Sequence, residues 1–249
     1  MGLVKLISRI PAIVSSLVSL FLMISISIAN AQVPANDIPT VSKDYILLDD
    51  VIIDPSTSKR IPLYRYQYTE REHTVTENLK NIGIMYGLTW VVYPIFQPKI
   101  LKGAGGWGDY KKNFGKIVFD KDEPIWNFFM HPLSGSQLYL LYRADGYTRM
   151  EAFGMTFVTS TLFEFTVEIF TEPASVQDLY QTPVLGTVFG LGIETFSMYL
   201  LNTGTTFGKF LGHLINPATL LPIYEGRTMI IPKLEENDKG AMLKLEVSF

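Results

Sequence analysis

The stretch from Asp120 to Leu201 constrains the fold more than any other part of this 249-residue chain. It holds apolar segments of helical length, each interrupted by a few polar side chains: Asn127, His131, Arg143, Ser160, Glu164, Glu168 and Glu194. Ionised groups in apolar helices carry a desolvation cost unless they are paired. These residues therefore either hold the helices together or form a site. Helices with apolar faces bury them against one another. The expected fold is mainly α, a helix bundle with a small antiparallel β element formed by the N- and C-terminal segments.

The β expectation rests on alternation. Tyr64, Tyr66 and Tyr68 alternate with Leu63, Arg65 and Gln67, which predicts a strand with one aromatic face. The run DYILLDDVIID is strand-like, and Pro55 to Ser58 reads as a turn. Near the C-terminus, Glu235 to Gly240 is a turn between two strand-like runs. In the second run Leu243, Leu245, Val247 and Phe249 alternate with Lys244, Glu246 and Ser248. A strand ending in Phe resembles the recognition strand of bacterial outer-membrane barrels. So few short strands cannot close a barrel alone, so a small sheet packed on helices is expected.

Lys5 and Arg9 precede a long apolar run, and Ala29-Asn30-Ala31 then forms an A-x-A cleavage site before Gln32. This predicts a signal peptide over residues 1–31, a flexible leader over 32–43 and a single α-rich envelope domain over 44–249, with its core motif region at 120–201. An uncleaved anchor is the alternative. Either way the working part lies outside the cytoplasm, in the periplasm or outer membrane of a Gram-negative-type bacterium. Cysteine is absent, which excludes disulfides and a lipoprotein acylation site. The net charge of -3 offers no basic footprint for nucleic acid.

Further helices are expected from Thr74 or Thr76 to about Pro94 and from Asn202 to Pro217, the second marked by Gly204, Gly208 and Gly212 four apart. Glycines at that spacing let helix backbones approach closely. The segment KGAGGWGDYKKNFGK reads as an irregular surface loop carrying an exposed Trp107. Its glycines lack the strand before and the Lys-Ser/Thr after that a phosphate loop requires.

Chemistry centres on a few residues. Asn127 and His131 are four apart, and Pro132 suggests a helix starting at His131, where the dipole would favour neutral imidazole. Ser160, Glu164 and Glu168 fall four apart on the next helix, and two carboxylates so close need a partner such as Arg143, a metal or a shared proton. Ser175 with Asp178 fits a helix N-cap, and Thr182-Pro183 looks like a second cap. The candidate catalytic residues are His131, Glu164, Glu168 and Arg143. The candidate binding residues are Asn127, Ser160, Asp178 and Glu194. No H-E-x-x-H is present, and His73 and His213 are remote in sequence, so neither a metal nor a cofactor is assigned.

At these residues the chain resembles a bacterial envelope family known only as domain-of-unknown-function family 3943. The resemblance is carried by Asp120, Asp122, Asn127, His131, Pro132, Gly135, Arg143, Gly146, Glu164, Glu168, Ser175, Asp178, Leu179, Thr182, Pro183 and Gly186. Ala174 stands between Pro173 and Ser175 where the family has P-S, and Phe163 replaces a Trp. The resemblance implies an envelope location and brings no activity. Two functions are expected as alternatives. One is a structural or lipid-contacting module at the outer membrane, with envelope lipid as partner and the assembly machinery met through the strand ending at Phe249. The other is an envelope hydrolase or acyl-group enzyme using His131 with Glu164 and Glu168, with or without a metal.

Overall fold

The computed structural model describes residues 38–234, apart from residues 43, 49, 97–99, 101–102, 104, 120 and 122. The expected signal peptide, most of the leader, Asp120, Asp122, and the turn and second run of the expected terminal hairpin, with Phe249, lie outside the described residues. The fold is mainly α with small β elements, as the apolar segments predict. Among the described residues the chain divides into two compact units. The first comprises residues 70–143 and 147–191, and the second comprises 38–69, 144–146 and 192–234.

The first unit is helical. Helix α1 (Val75–Phe96) starts at Thr74, whose hydroxyl accepts from Glu77 N–H while Glu77 accepts from Thr74 N–H, a reciprocal cap. The glycine-rich segment expected to be irregular contains a short helix, α2 (Trp107–Asn113). Asp109 favours its first turn and accepts from Gly105 N–H, and Asn113 at its end is buried and donates to the Ile169 carbonyl. Trp107 is exposed as expected, with one edge against Phe170.

Helix α3 (His131–Ala144) does not begin at a free helix end. A π turn, Trp126–Met130, runs into it, and the N–H of His131 donates to the Trp126 carbonyl five residues back. Pro132 has no N–H to give its i−4 carbonyl, and the slipped ladder of a π turn lets the helix continue through it. Helix α4 (Arg149–Thr166) is next, capped by a Thr148–Glu151 box, and a 3₁₀ turn (Glu168–Phe170) continues the chain. Helix α5 (Val176–Tyr180), a π turn (Gln181–Leu185) and helix α6 (Gly186–Leu201) then run on without a break. Thr182-Pro183 is thus not a second N-cap. It sits inside the second π turn, where Gly186 N–H reaches the Gln181 carbonyl. A two-residue parallel pair, β6 (Ile117–Val118) with β7 (Ala174–Ser175), joins the segment before the first π turn to the start of α5.

The second unit holds the other strands. These are β1 (Thr40–Val41), β2 (Ile46–Leu48), β3 (Val51–Asp54), β4 (Lys59–Pro62) and β5 (Tyr64–Tyr66), then β8 (Arg227–Met229) and β9 (Lys233–Leu234). Strands β2, β3 and β4 form an antiparallel meander: the run read as one strand is divided between β2 and β3, and the turn predicted at residues 55–58 joins β3 to β4. The first and last described segments of this unit pair with each other, β5 antiparallel with β8 and β1 parallel with β9. The segment after α6 breaks at Gly204, whose φ of +70 suits glycine, and restarts as α7 (Thr206–Ile215) with Thr205 as N-cap. It is a separate helix rather than a continuation. A Cβ on Gly212 would stand 2.8 Å from Leu201 Cγ, and one on Gly208 2.7 Å from the Leu200 carbonyl oxygen. Close packing is what these two glycines do.

Within the first unit the tightest crossing is between α3 and the start of α6. A Cβ on Gly186 would lie 2.7 Å from Gly135 Cα, and one on Gly135 would fall on the Thr182 carbonyl. Fully buried Tyr139 lies across Gly190 one turn further along. Because the obstructing atoms are backbone, Gly135→Ala should destabilise the chain by about 2 kcal/mol or more in urea melts. Gly154→Ala in α4, with open space around the new methyl, should be neutral or add up to about 1 kcal/mol by helix propensity.

Candidate functional site

The site is built where α4 and α5 meet. Glu164 in the last turn of α4 and Glu168 in the 3₁₀ turn after it are both buried, as is Asp178 on α5. One oxygen from each of the three lies within 4.8 Å of the other two. Sequence spacing predicted the Glu164–Glu168 pair. It gave Asp178 only a capping role, with binding as a lesser option.

Ser175 shows how Asp178 comes to the cluster. Its hydroxyl caps α5 as expected, accepting from Asp178 N–H at 3.3 Å. In a full capping box the Asp178 carboxylate would reach back to the Ser175 N–H. That N–H donates instead to Glu164 Oε1, at a short 2.5 Å. The exchange anchors Glu164 and leaves the Asp178 side chain to face His131, whose Nε2 is 3.5 Å from Asp178 Oδ1. Thr182 Oγ1 stands 3.5 Å from the other ring nitrogen, Nδ1. His131 and Thr182 each belong to, or directly follow, one of the two π turns, a feature often found where helices carry function.

Burial and like charge govern the electrostatics. Glu168 is held well above the ordinary glutamate value of 4.5, first by desolvation and then by the charge of Glu164, a hydrogen bond to Glu164, and the charges of Asp178 and Glu172. Its Oε2 is buried without a hydrogen-bond partner. Beside the cluster is a cavity of about 260 Å³ lined by Val118, Phe119, Lys121, Glu172, Pro173, Ser175 and Asp178. Glu164 and Glu168 are thus sealed, while Asp178 and Ser175 reach a hollow.

The remaining candidates fall in other places. Arg143 is buried and held by Glu70 at 3.1 Å and by the Tyr147 carbonyl, in a separate polar group of this unit where His73 stacks on Tyr147 at 3.6 Å. The charged neighbours that act on Glu168 are acids, and the guanidinium expected to neutralise the carboxylates is engaged elsewhere. Loop closure at Gly146 turns the end of α3 back on itself, which no helical spacing reveals. Asn127 is buried in the first π turn and Ser160 is buried one turn before Glu164. Glu194 belongs to the second unit, where it is buried and adds to the upward pressure on the Tyr224 hydroxyl, set mainly by burial. Sequence reasoning missed Lys121, Glu172 and Thr182. The first two lie in loops without periodicity, and Thr182 has the sequence context of an ordinary cap.

Residues 116–222 match the family model described as Domain of unknown function (DUF3943). This stretch of the chain is a DUF3943 domain, and it contains His131, Glu164, Glu168, Asp178 and the cavity. No curated protein and no solved structure matches the chain.

The raised Glu168 has a testable consequence. Above 4.5 the native state keeps a proton that the unfolded chain has lost, so stability is full below that value and falls as pH rises through the native one. In chelator-treated protein, Glu168→Gln should therefore raise the Tm at neutral pH and flatten its fall with pH. Thermal melts across a pH series check this, and a variant that melts earlier at every pH contradicts it.

Proposed function

We propose that this is a secreted envelope protein of the outer membrane that works as a lipid-contacting module built round a buried His/Glu/Asp cluster. The observation that carries the reading is the exposure of large apolar side chains on helix faces, while many polar groups share the interior with the apolar core. Carboxylates, hydroxyls and amides such as Glu164, Glu168, Asp178, Thr156, Thr159 and Asn216 are buried, while large apolar side chains lie outside. Scattered exposed apolar residues are ordinary, but contiguous apolar helix faces mark contact with lipid or a partner.

Each unit contributes such faces. On α1, Val75, Leu79, Leu88, Val91 and Ile95 are exposed, and on α4 Phe157, Val158, Leu162 and Phe165. Helix α7 is the sharpest case. Phe207, Phe210 and Leu214 at i, i+3 and i+7 are all more than 60% exposed, while Gly208 and Gly212 face inward. A helix of this kind suits the headgroup–acyl boundary. The runs Arg149–Phe170 and Val176–Leu201 are also long and apolar enough to cross a membrane, a test that the core helices of many soluble proteins pass. The Arg143–Glu70 and His131–Asp178 pairs inside the first unit fit a scaffolding role there. The apolar run followed by the A-x-A pattern favours the envelope over other membranes.

Flotation with phosphatidylethanolamine–phosphatidylglycerol vesicles tests the reading. The purified full chain should float with the vesicles, and a Phe207→Asp, Phe210→Asp, Leu214→Asp variant should lose at least tenfold in partitioning, about 1.4 kcal/mol. A wild-type chain that stays in the aqueous phase, or fractionates wholly as soluble periplasmic protein, would overturn it.

A second reading, a hydrolase or acyl-group enzyme, draws support from the His131–Asp178 pair beside the cavity. Here His131 would be the base, with Glu164 and Glu168 behind it. The reading requires His131→Ala to leave the fold intact by circular dichroism while removing activity on acyl-ester probes. Loss of fold in that variant assigns the histidine to the scaffold.

A further inference from the structure

The acidic cluster carries more than a scaffolding role. We propose that Glu164, Glu168 and Asp178 bind a hard divalent cation of the Mg²⁺, Mn²⁺ or Ca²⁺ class, entered through the cavity that Ser175 and Asp178 line. The inference stands apart from the lipid reading and from the choice between module and enzyme.

Geometry is the first support. Oxygens that share one cation at about 2.1–2.5 Å lie no more than roughly 5 Å apart, on opposite sides of the ion. The nearest oxygens of the three carboxylates fall within 4.8 Å of one another, which is that span. They come from three different turns, the last of α4, the 3₁₀ turn after it and α5, so no single-helix spacing accounts for their meeting. Charge is the second support. The charges acting on Glu168 are those of Glu164, Asp178 and Glu172, all of one sign. Buried carboxylates so arranged carry a desolvation and repulsion cost unless protons or a cation offset it.

A buried oxygen points independently to a ligand. Glu168 is 5% exposed, and its Oε2 has no hydrogen-bond partner. Gln181 is 8% exposed, and its Oε1 is likewise without one. Gln181 lies in the π turn that directly follows α5, three residues after Asp178. Buried polar oxygens are nearly always satisfied, and a cation held by the three carboxylates would satisfy the Glu168 oxygen. An all-oxygen set of this kind favours Mg²⁺, Mn²⁺ or Ca²⁺ over Zn²⁺, which selects nitrogen and sulfur ligands.

His131 then takes a supporting part. With Nε2 facing Asp178 and Nδ1 facing Thr182, it is placed to orient a ligating carboxylate from behind. This makes it a positioning residue. Access is through the 260 Å³ cavity, whose wall includes Glu172 as well as Asp178.

The test uses the full chain stripped with EDTA, to which Mg²⁺, Ca²⁺, Mn²⁺ or Zn²⁺ is added singly. Calorimetry should give one bound ion per chain for at least one of the first three, with a rise in Tm. Mn²⁺ should show the electron paramagnetic resonance signal of a bound ion. Glu168→Gln should weaken binding at least tenfold, and Asp178→Asn should do the same should the first variant fail to fold. His131→Ala should weaken binding by about ten- to a hundredfold while retaining it. Glu77→Gln, which changes an exposed cap acid, should bind as the wild type does. The proposal is overturned if the stripped wild-type chain binds none of the hard cations, if Zn²⁺ alone binds, or if a folded Glu168→Gln or Asp178→Asn variant binds undiminished.

Discussion

Gly135 against Gly186 is the contact on which the candidate site depends. With no side chain on either residue, α3 and the start of α6 approach to backbone distance, a separation that one methyl group would prevent. His131 lies one turn before Gly135, and Thr182 one turn before Gly186. The crossing that joins the glycines therefore also sets the imidazole beside Thr182 and Asp178. Tyr139 closes the same seam over Gly190. Tight backbone contact carries the orienting role that an ion pair between helices would otherwise have to supply.

The two π turns meet the same demand. Each accommodates a proline that would stop an α-helix, Pro132 after the first and Pro183 within the second. Shifting the backbone ladder by one residue keeps each helix continuous and rotates its next turns about the axis. The result is that His131 and Thr182, each next to a proline, face each other across the crossing. A regular helix start at His131 would have given the imidazole a dipole at a free end. The continuous helix gives it Asp178 instead.

Polar groups share the interior with apolar side chains such as Tyr139, Leu140 and Ile169, and many large apolar side chains stay exposed. The first unit buries carboxylates and hydroxyls and turns Leu, Val, Ile and Phe outward on α1 and α4, and α7 of the second unit does the same. Within the polar interior the cationic and acidic groups are sorted. Arg143 sits with Glu70 and the Tyr147 carbonyl, whereas Glu164, Glu168 and Asp178 gather together. That separation leaves the three carboxylates next to a cavity whose wall carries both Glu172 and Lys121.

The sequence by itself determined the class of fold and the region of the site. Apolar runs of helical length point to helices and alternation points to strands, because these are consequences of backbone period; Glu164 and Glu168, read as one helical face, come together although Glu168 lies in the 3₁₀ turn after α4. The cap at Ser175 was equally legible, since capping is local. Only the tertiary structure decided which polar groups meet. Asp178 joined the carboxylates because Glu164 took the N–H that its own cap would have used, and Arg143 left them because the chain turns back at Gly146 to offer it the Tyr147 carbonyl. The helix inside the glycine-rich segment depends on Asn113 reaching the Ile169 carbonyl, a partner far off in sequence. Periodicity specifies which side of an element a residue occupies. It carries no information about which other element will be packed there, and the chemistry of a site resides in that pairing.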